Sequence, residues 1–164
     1  MLIPIVSNAQ VTGQRTESYP AVVNGHLAFM GIPINTPEES FRKQLLTKGF
    51  KVYVNKYGQK FPEILVGVYK GRKVQFGTGY KMVFIQDDKR PTLANAKKRY
   101  KELVAELESI YGKGVANNTN DVTLRHEIKT PQGNVIVEMY NEDEMEGDSD
   151  YYIVGFVLSE SEYD

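Results

Sequence analysis

The chain has 164 residues, enough for one domain or for two small intertwined halves. Its 41% hydrophobic and 25% charged residues exclude wholesale disorder, and 20 basic against 21 acidic residues give a net charge of −1 that favours neither nucleic acid nor anionic membrane. The lack of cysteine excludes disulfides, thiolate catalysis and Cys-ligated zinc, and no run approaches the ~20 apolar residues of a membrane helix.

The first nine residues are similar to the end of a secretory signal peptide. The apolar run Leu2–Val6 precedes Ser7-Asn8-Ala9, whose small residues are spaced as before a cleavage site. The charged segment and most of the apolar core are missing, which a start codon placed too far downstream would explain. Residues 1–9 are therefore predicted to be a signal remnant, with a periplasmic or secreted chain that begins near Gln10. The alternative is a frayed tail or a first β-strand.

Residues 10–25 are polar with scattered Gly and Pro, which predicts a flexible arm. The following segment, His26–Ile34, is apolar and predicts a short strand closed by Pro33. The chain up to the first helix is thus expected to be an arm followed by one strand.

The first predicted helix has complete start and stop signals. Thr36 can cap it, Pro37 takes its first position and Glu39 completes a capping box. Phe41 lies one turn from Leu45 on the same face, and Gly49 supplies a left-handed stop.

Strands are expected after this helix. The four segments are Phe50–Asn55, Glu63–Tyr69, Lys73–Phe76 and Tyr80–Gln86. Their alternation and the Gly-containing turns between them favour an antiparallel meander. In the second segment the aliphatic residues Ile64, Val66 and Val68 alternate on one face, and Val66 and Val68 are expected to lie in the core.

A second helix is predicted over Leu93–Tyr111, where apolar residues recur at spacings of three and four and Gly112 ends the pattern. Three more strands follow at Val122–Lys129, Asn134–Tyr140 and Tyr151–Leu158. An acidic loop precedes the last of them, and residues 159–164 form an acidic tail.

The elements occur in the same order twice, in the half-repeats 26–88 and 89–158. Gly49 aligns with Gly112, and Gly71 aligns with Gly133. We predict a single α+β domain over 26–158, in which two helices pack on antiparallel sheet as a tandem αβββ(β) repeat. The shared order could also arise by chance. The predicted core comprises Phe29, Ile32, Phe41, Leu45, Val52, Val66, Val68, Phe76, Phe84, Tyr100, Leu103, Leu107, Ile136, Ile153 and Phe156.

The segment Phe29–Ile34, with Lys48-Gly49-Phe50 after the helix, resembles the opening of uncharacterised secreted proteins from gut Bacteroidetes. The Asn8-Ala9-Gln10 step and the Tyr111-Gly112-Lys113 end of the second helix resemble that group too. The resemblance covers roughly residues 26–158 and implies a fold and a secreted location, with no catalytic residues to transfer. More distantly, the repeated helix and sheet look like β-lactamase inhibitory protein and small outer-membrane assembly lipoproteins, which are binding modules. The missing lipid-accepting cysteine departs from the lipoprotein pattern.

Three candidate functional features, an acidic loop, a basic run and the two histidines, have ordinary structural explanations. Residues 142–150 offer clustered oxygen ligands for Ca²⁺, but an EF-type register places Ile153 where a glutamate is required, so a solvated hairpin tip is favoured. The basic residues Lys89, Arg90, Lys97, Lys98, Arg99 and Lys101 could meet an acidic partner, yet glutamates interleave with them. No nucleophile or hydrolase motif accompanies His26 or His126, so no catalytic, metal or cofactor site is predicted.

The tyrosines suggest the function. Tyrosine suits both half-buried strands and protein-binding surfaces. The candidate binding surface consists of Tyr53, Tyr69, Tyr80, Tyr140 and Tyr152. We therefore expect a non-enzymatic binding module with a protein partner. The alternatives are an enzyme or small-ligand carrier with a pocket between sheet and helices, favoured by a buried carboxylate near His126, and a structural role in an envelope assembly.

Overall fold

Two helices lie against antiparallel sheet in the computed structural model, which describes residues 19–79, 82–90, 92–141 and 151–160. The helices are α1 (Glu38–Thr47) and α2 (Leu93–Tyr111). The predicted α+β class is confirmed, and the second helix has the predicted bounds. The predicted signal remnant 1–9, Tyr80 and the predicted acidic loop 142–150 lie outside the described residues.

A small sheet precedes α1. It consists of β1 (Val22–Val23), β2 (His26–Phe29) and β3 (Ile32–Pro33), paired in that order. The predicted strand over 26–34 is therefore a hairpin, because Met30 and Gly31 have positive φ values of 52° and 81° and form its turn.

The large sheet has eight antiparallel strands in the order β4-β5-β6-β7-β11-β10-β9-β8. The first four are β4 (Lys51–Val54), β5 (Lys60–Tyr69), β6 (Arg72–Gly77) and β7 (Met82–Arg90). The others are β8 (Val115–Ala116), β9 (Leu124–Thr130), β10 (Gly133–Asn141) and β11 (Tyr152–Ser159). The two-residue β8 has no counterpart in the predicted strands.

Each half of this sheet is a meander that follows a helix. α1 leads into β4–β7 and α2 leads into β8–β11, while β7 and β11 pair at the centre. Both helices end at glycines with positive φ, Gly49 at 95° and Gly112 at 107°. The element order matches the predicted halves, and a duplication remains a hypothesis.

The main core lies between the sheet and the helices. α2 buries Ala96, Tyr100, Leu103 and Leu107 against it, as its apolar stripe predicts. α1 contributes Phe41, whose ring stacks on Phe76 of β6 with centroids 5.0 Å apart. Nine of the predicted core residues belong to this cluster: Phe29, Ile32, Phe41, Leu45, Phe76, Tyr100, Leu103, Leu107 and Phe156.

The predicted inward face of β5 is wrong. Leu65 faces the core, fully buried, and pairs with Phe76, whereas Val68 is 64% exposed. Because side chains alternate along a strand, Ile64, Val66 and Val68 share the opposite face. Gly67 explains the reversal, since a Cβ there would lie 2.6 Å from the ring of Phe50, which fills the core beneath it.

The predicted capping box at α1 is also wrong. The helix begins one residue later, with Pro37 in the cap position and no side-chain cap hydrogen bond. The Pro37 carbonyl accepts the Phe41 amide at 2.9 Å, while the Thr36 amide donates to Pro33. The turn that follows β3 thus moves Thr36 out of the cap position.

Residues 19–25 are packed, which corrects this part of the predicted arm 10–25. Tyr19 is 6% exposed, its ring meets Phe156 edge-on at 5.8 Å, and Pro20 accepts a hydrogen bond from the Tyr111 hydroxyl. The predicted acidic tail also begins too early, because Ser159 belongs to β11 and pairs with Asn134. Residues 10–18 and 161–164 lie outside the described residues.

Candidate functional site

The large sheet has one face turned away from both helices, here called the helix-free face. Alternation along β7, β10 and β11 assigns Phe84, Ile136, Tyr140, Ile153 and Val157 to it. Ile136, Ile153 and Val157 are buried but stand apart from the core between sheet and helices. The predicted burial of Ile136 and Ile153 is confirmed, although they lie outside the main cluster, whereas Phe84 is half-buried and does not belong to the core as predicted.

Gly155 in β11 is the centre of this face. A Cβ at Gly155 would lie 2.5 Å from the Ile85 carbonyl oxygen and 2.7 Å from Cζ of Phe84. The Phe84 ring therefore covers Gly155. Any larger residue at this position would clash with the ring. The ring of Tyr140 lies beside Phe84, with centroids 6.0 Å apart and planes tilted by 53°. The result is a half-buried aromatic pair.

Charged side chains border the aromatic pair. Glu138 lies directly across from Gly155 on one side and from Arg125 on the other. Arg125 donates from Nε to Glu127 at 2.9 Å, and its Nη1 reaches Glu138 at 3.5 Å. Burial raises the pKa of Glu138 above its usual range, although Arg125 acts in the opposite direction. The carboxylate is thus poorly compensated.

A shallow cavity of about 220 Å³ lies on the same face, towards the end of β11. Arg125, Glu127, Lys129, Asn134, Ile136 and Met82 contribute to its lining. The second cavity, of about 160 Å³, lies beside α2 and is lined by Asn95, Lys98, Arg99 and Glu102. The larger cavity is therefore not between sheet and helices.

The four candidate tyrosines among the described residues do not share one surface. Tyr140 is on the helix-free face, whereas Tyr69 meets the ring of Phe29 at 5.1 Å and Tyr152 packs against the core. Tyr53 contacts Phe61 at the edge of the sheet, with centroids 5.7 Å apart. Phe84 is the surface aromatic residue that sequence reasoning assigned to the core. Gly155 within an apolar strand is the signal that points to it.

An ionic cluster lies on the helix side. A β-bulge opposite Val154 and Gly155 leaves Asp87 without a cross-strand partner, and its carboxylate accepts hydrogen bonds from Arg99 and Arg72. The side chain of Asp87 is 5% exposed, and hydrogen bonding to Asp87 raises the pKa of Arg99. The cluster joins α2 to the sheet.

Two further groups extend this ionic cluster to the start of the described chain. The Nη1 of Arg99 also contacts Glu106 at 3.0 Å, and Glu106 accepts the Tyr19 hydroxyl at 2.5 Å. Burial favours a higher pKa for Glu106, but the hydrogen bonds from Arg99 and Tyr19 outweigh it and lower the pKa. Burial raises the pKa of Tyr19.

His126 contacts a carboxylate, a feature that favours the enzyme alternative. Its Nε2 lies 3.0 Å from Glu108 Oε2, and both side chains are 15% exposed. The same oxygen accepts the Gly114 amide at 2.8 Å, and this hydrogen bond is the first cause of the lowered pKa of Glu108, followed by His126. The pair ties the end of α2 to β9. Neither of the two cavities above is lined by these residues.

No group of three or more histidine or acidic side chains that could hold a metal ion occurs among residues 19–79, 82–90, 92–141 and 151–160. Within the same ranges, no helix is long and apolar enough to cross a bilayer. No protein-family model, curated protein or solved structure matches this chain. The family resemblances above are therefore carried forward as hypotheses.

Proposed function

We propose that this protein is a non-enzymatic binding module whose helix-free face receives a protein partner. The observation that carries the proposal is the half-buried Phe84 ring over Gly155, with the Tyr140 ring beside it, at the centre of that face. Aromatic anchors with a charged border are typical of the residues that dominate protein interfaces. Val68 and Met82, which are 64% and 37% exposed, are further apolar side chains on the same face.

A comparative capture experiment tests the proposal. The full chain is immobilised, exposed to envelope and culture extracts, and compared with Tyr140→Ser. A bound protein should be lost with this variant and retained with Tyr57→Ser, because Tyr57 is 81% exposed in the turn between β4 and β5. Thermal unfolding confirms that both variants are folded. If Tyr140→Ser captures the same protein as wild type does, the helix-free face is not the binding surface.

The second candidate function is an enzyme or a small-ligand carrier. The contact between His126 and Glu108 favours it, because an oriented histidine–carboxylate pair is an ordinary part of acid–base catalysis. Against it, Glu108 is already engaged by the Gly114 amide and Lys113. Screening a library of hydrolase substrates tests this function. Turnover that is lost when His126 is substituted would favour it.

A periplasmic or secreted location belongs to the same proposal. It is supported by the signal-like pattern of residues 1–9. Cell fractionation with N-terminal sequencing tests it, and a mature protein that begins near Gln10 in the periplasm or medium is the expected result.

A further inference from the structure

We infer that Glu138, together with Phe84 and Tyr140, binds a lysine or arginine side chain of the protein partner. The inference rests on the proposed function, since it specifies the chemistry that the helix-free face would recognise. Three observations carry it: the position of the carboxylate, its incomplete ion pair, and the adjacent aromatic pair.

The position of Glu138 follows from the strand register. It lies directly across from Gly155, and Tyr140 lies two residues further along on the same face. Side chains directly opposite on neighbouring strands are about 5 Å apart at Cβ. Gly155 has no side chain and the Phe84 ring covers it, so the strand register places Glu138 beside the positions of Phe84 and Tyr140 on the same face.

The ion pair of Glu138 is incomplete. The Nη1 of Arg125 is 3.5 Å away, while its Nε is committed to Glu127 at 2.9 Å. The carboxylate nevertheless has a 26% exposed side chain, so an incoming group can reach it. A half-buried carboxylate with weak compensation gains more from an added cation than an exposed one does.

The aromatic rings select the same kind of ligand. A cation over the face of Tyr or Phe is attracted by the ring quadrupole, and an apolar stem packs on the ring. Lysine and arginine combine such a stem with a charge that Glu138 can pair. A neutral aliphatic side chain offers the stem without the charge, and an acidic one would be repelled.

Glu138 and its charged neighbours also provide a stability readout. Arg125 and Glu127 face it from β9. On α2, the pKa of Tyr100 is raised to about 12 by burial and, to a smaller extent, by the negative charge of Glu138. Since the folded state raises the pKa of Glu138, its ionisation lowers stability as pH rises through that pKa. Glu138→Gln should therefore be at least as stable as wild type at pH 7.

The experiment uses three blocked amino acids as probes: the N-acetyl N′-methylamides of lysine, arginine and norleucine. Ring resonances of Phe84 and Tyr140 are followed by NMR in the full chain. Saturable shifts are expected with the two cationic probes, and binding should weaken by about fivefold or more in Glu138→Gln, in line with one favourable charged contact. The control Glu102→Gln, on the outer face of α2 and 51% exposed, should bind as wild type does.

The outcomes are distinct. Equal shifts with norleucine, or equal binding by Glu138→Gln, would overturn the inference. Loss of stability in Glu138→Gln would also overturn it, because it would assign the carboxylate a structural ion pair with Arg125. If partner capture is lost in Tyr140→Ser but not in Glu138→Gln, the inferred cation site is wrong, and the helix-free face remains the proposed binding surface. If capture needs neither residue, the proposed face itself fails.

Discussion

The guanidinium of Arg99 holds the carboxylate of Asp87 through two hydrogen bonds, from Nε at 2.6 Å and from Nη2 at 2.9 Å. A planar fork of this kind matches carboxylate geometry and is stronger than a single contact. It joins the long helix to the bulge at the centre of the sheet. Asp87 is therefore more important to the fold than its place in the charged run near Lys89 and Arg90 suggests.

Asp87→Ala should lower the free energy of unfolding by roughly 1.5–3 kcal/mol, because Arg99 and Arg72 both lose their hydrogen bonds to the Asp87 carboxylate while Arg99 keeps its contact with Glu106. Urea denaturation measures the change. Glu39→Ala is the control. The side chains of Glu39 and Lys43 are 83% and 73% exposed, so their ion pair should contribute less than about 1 kcal/mol. Equal effects of the two substitutions would contradict the structural role of Asp87.

Gly155→Ala should destabilise the protein by about 1–3 kcal/mol, because the added methyl group would displace Phe84 and press on the Ile85 carbonyl. The same substitution at Gly77 is a matched control. A Cβ there meets nothing within 4 Å, so the change should stay within about 0.5 kcal/mol. Thermal unfolding of both variants decides the matter, and an unaffected Gly155→Ala would refute the packing of Phe84 over the glycine.

Glu108→Gln should make the free energy of unfolding less dependent on pH in the acidic range. The folded state lowers the pKa of Glu108, so its contribution is present above the unfolded value of about 4.3 and is lost as pH falls through the folded pKa. The difference in unfolding free energy between wild type and variant should therefore be largest at neutral pH and shrink below about pH 4. Urea curves at several pH values measure it. A difference that stays constant down to pH 3 would show that the lowered pKa is wrong.

Tyr19→Phe should cost about 1–2 kcal/mol, because it removes the hydroxyl that donates to Glu106 while the ring can remain against Phe156. Tyr57→Phe, in an exposed turn, controls for the loss of a tyrosine hydroxyl. The measurement is again chemical denaturation. If Tyr19→Phe behaves like Tyr57→Phe, the hydrogen bond from Tyr19 to Glu106 does not stabilise the fold.

Local patterns were sufficient to predict the helices and most strands. The apolar stripe from Ala96 to Leu107 and the stop at Gly112 depend on neighbours within one or two turns, so they can be predicted from the sequence. The face of β5 could not, because it depends on where the ring of Phe50 packs. The aliphatic alternation of Ile64, Val66 and Val68 was therefore assigned to the wrong side.

The candidate site shows the same limit. Tyr140 was predicted as a surface residue and lies on the helix-free face, yet Phe84 and Glu138 were not part of that prediction. Their proximity requires β11 to pair with both β7 and β10, a register that a single sequence does not specify. Tyr69 and Tyr152, predicted for the binding surface, are partly buried against the core, and a sequence does not separate the two roles because aromatic residues serve the core and the surface equally well.

The pairing of β7 with β11 also bears on how the chain acquires its structure. All other neighbours in the large sheet are consecutive strands, whose hairpins close short loops. The pairing of β7 with β11 must instead close a long loop, because α2, β8, β9 and β10 lie between the two strands in the chain. Non-local pairings of this kind slow folding because their loop entropy is lost before their contacts form. We therefore expect the two meanders to form early, and the kinetic barrier to lie where β7 meets β11.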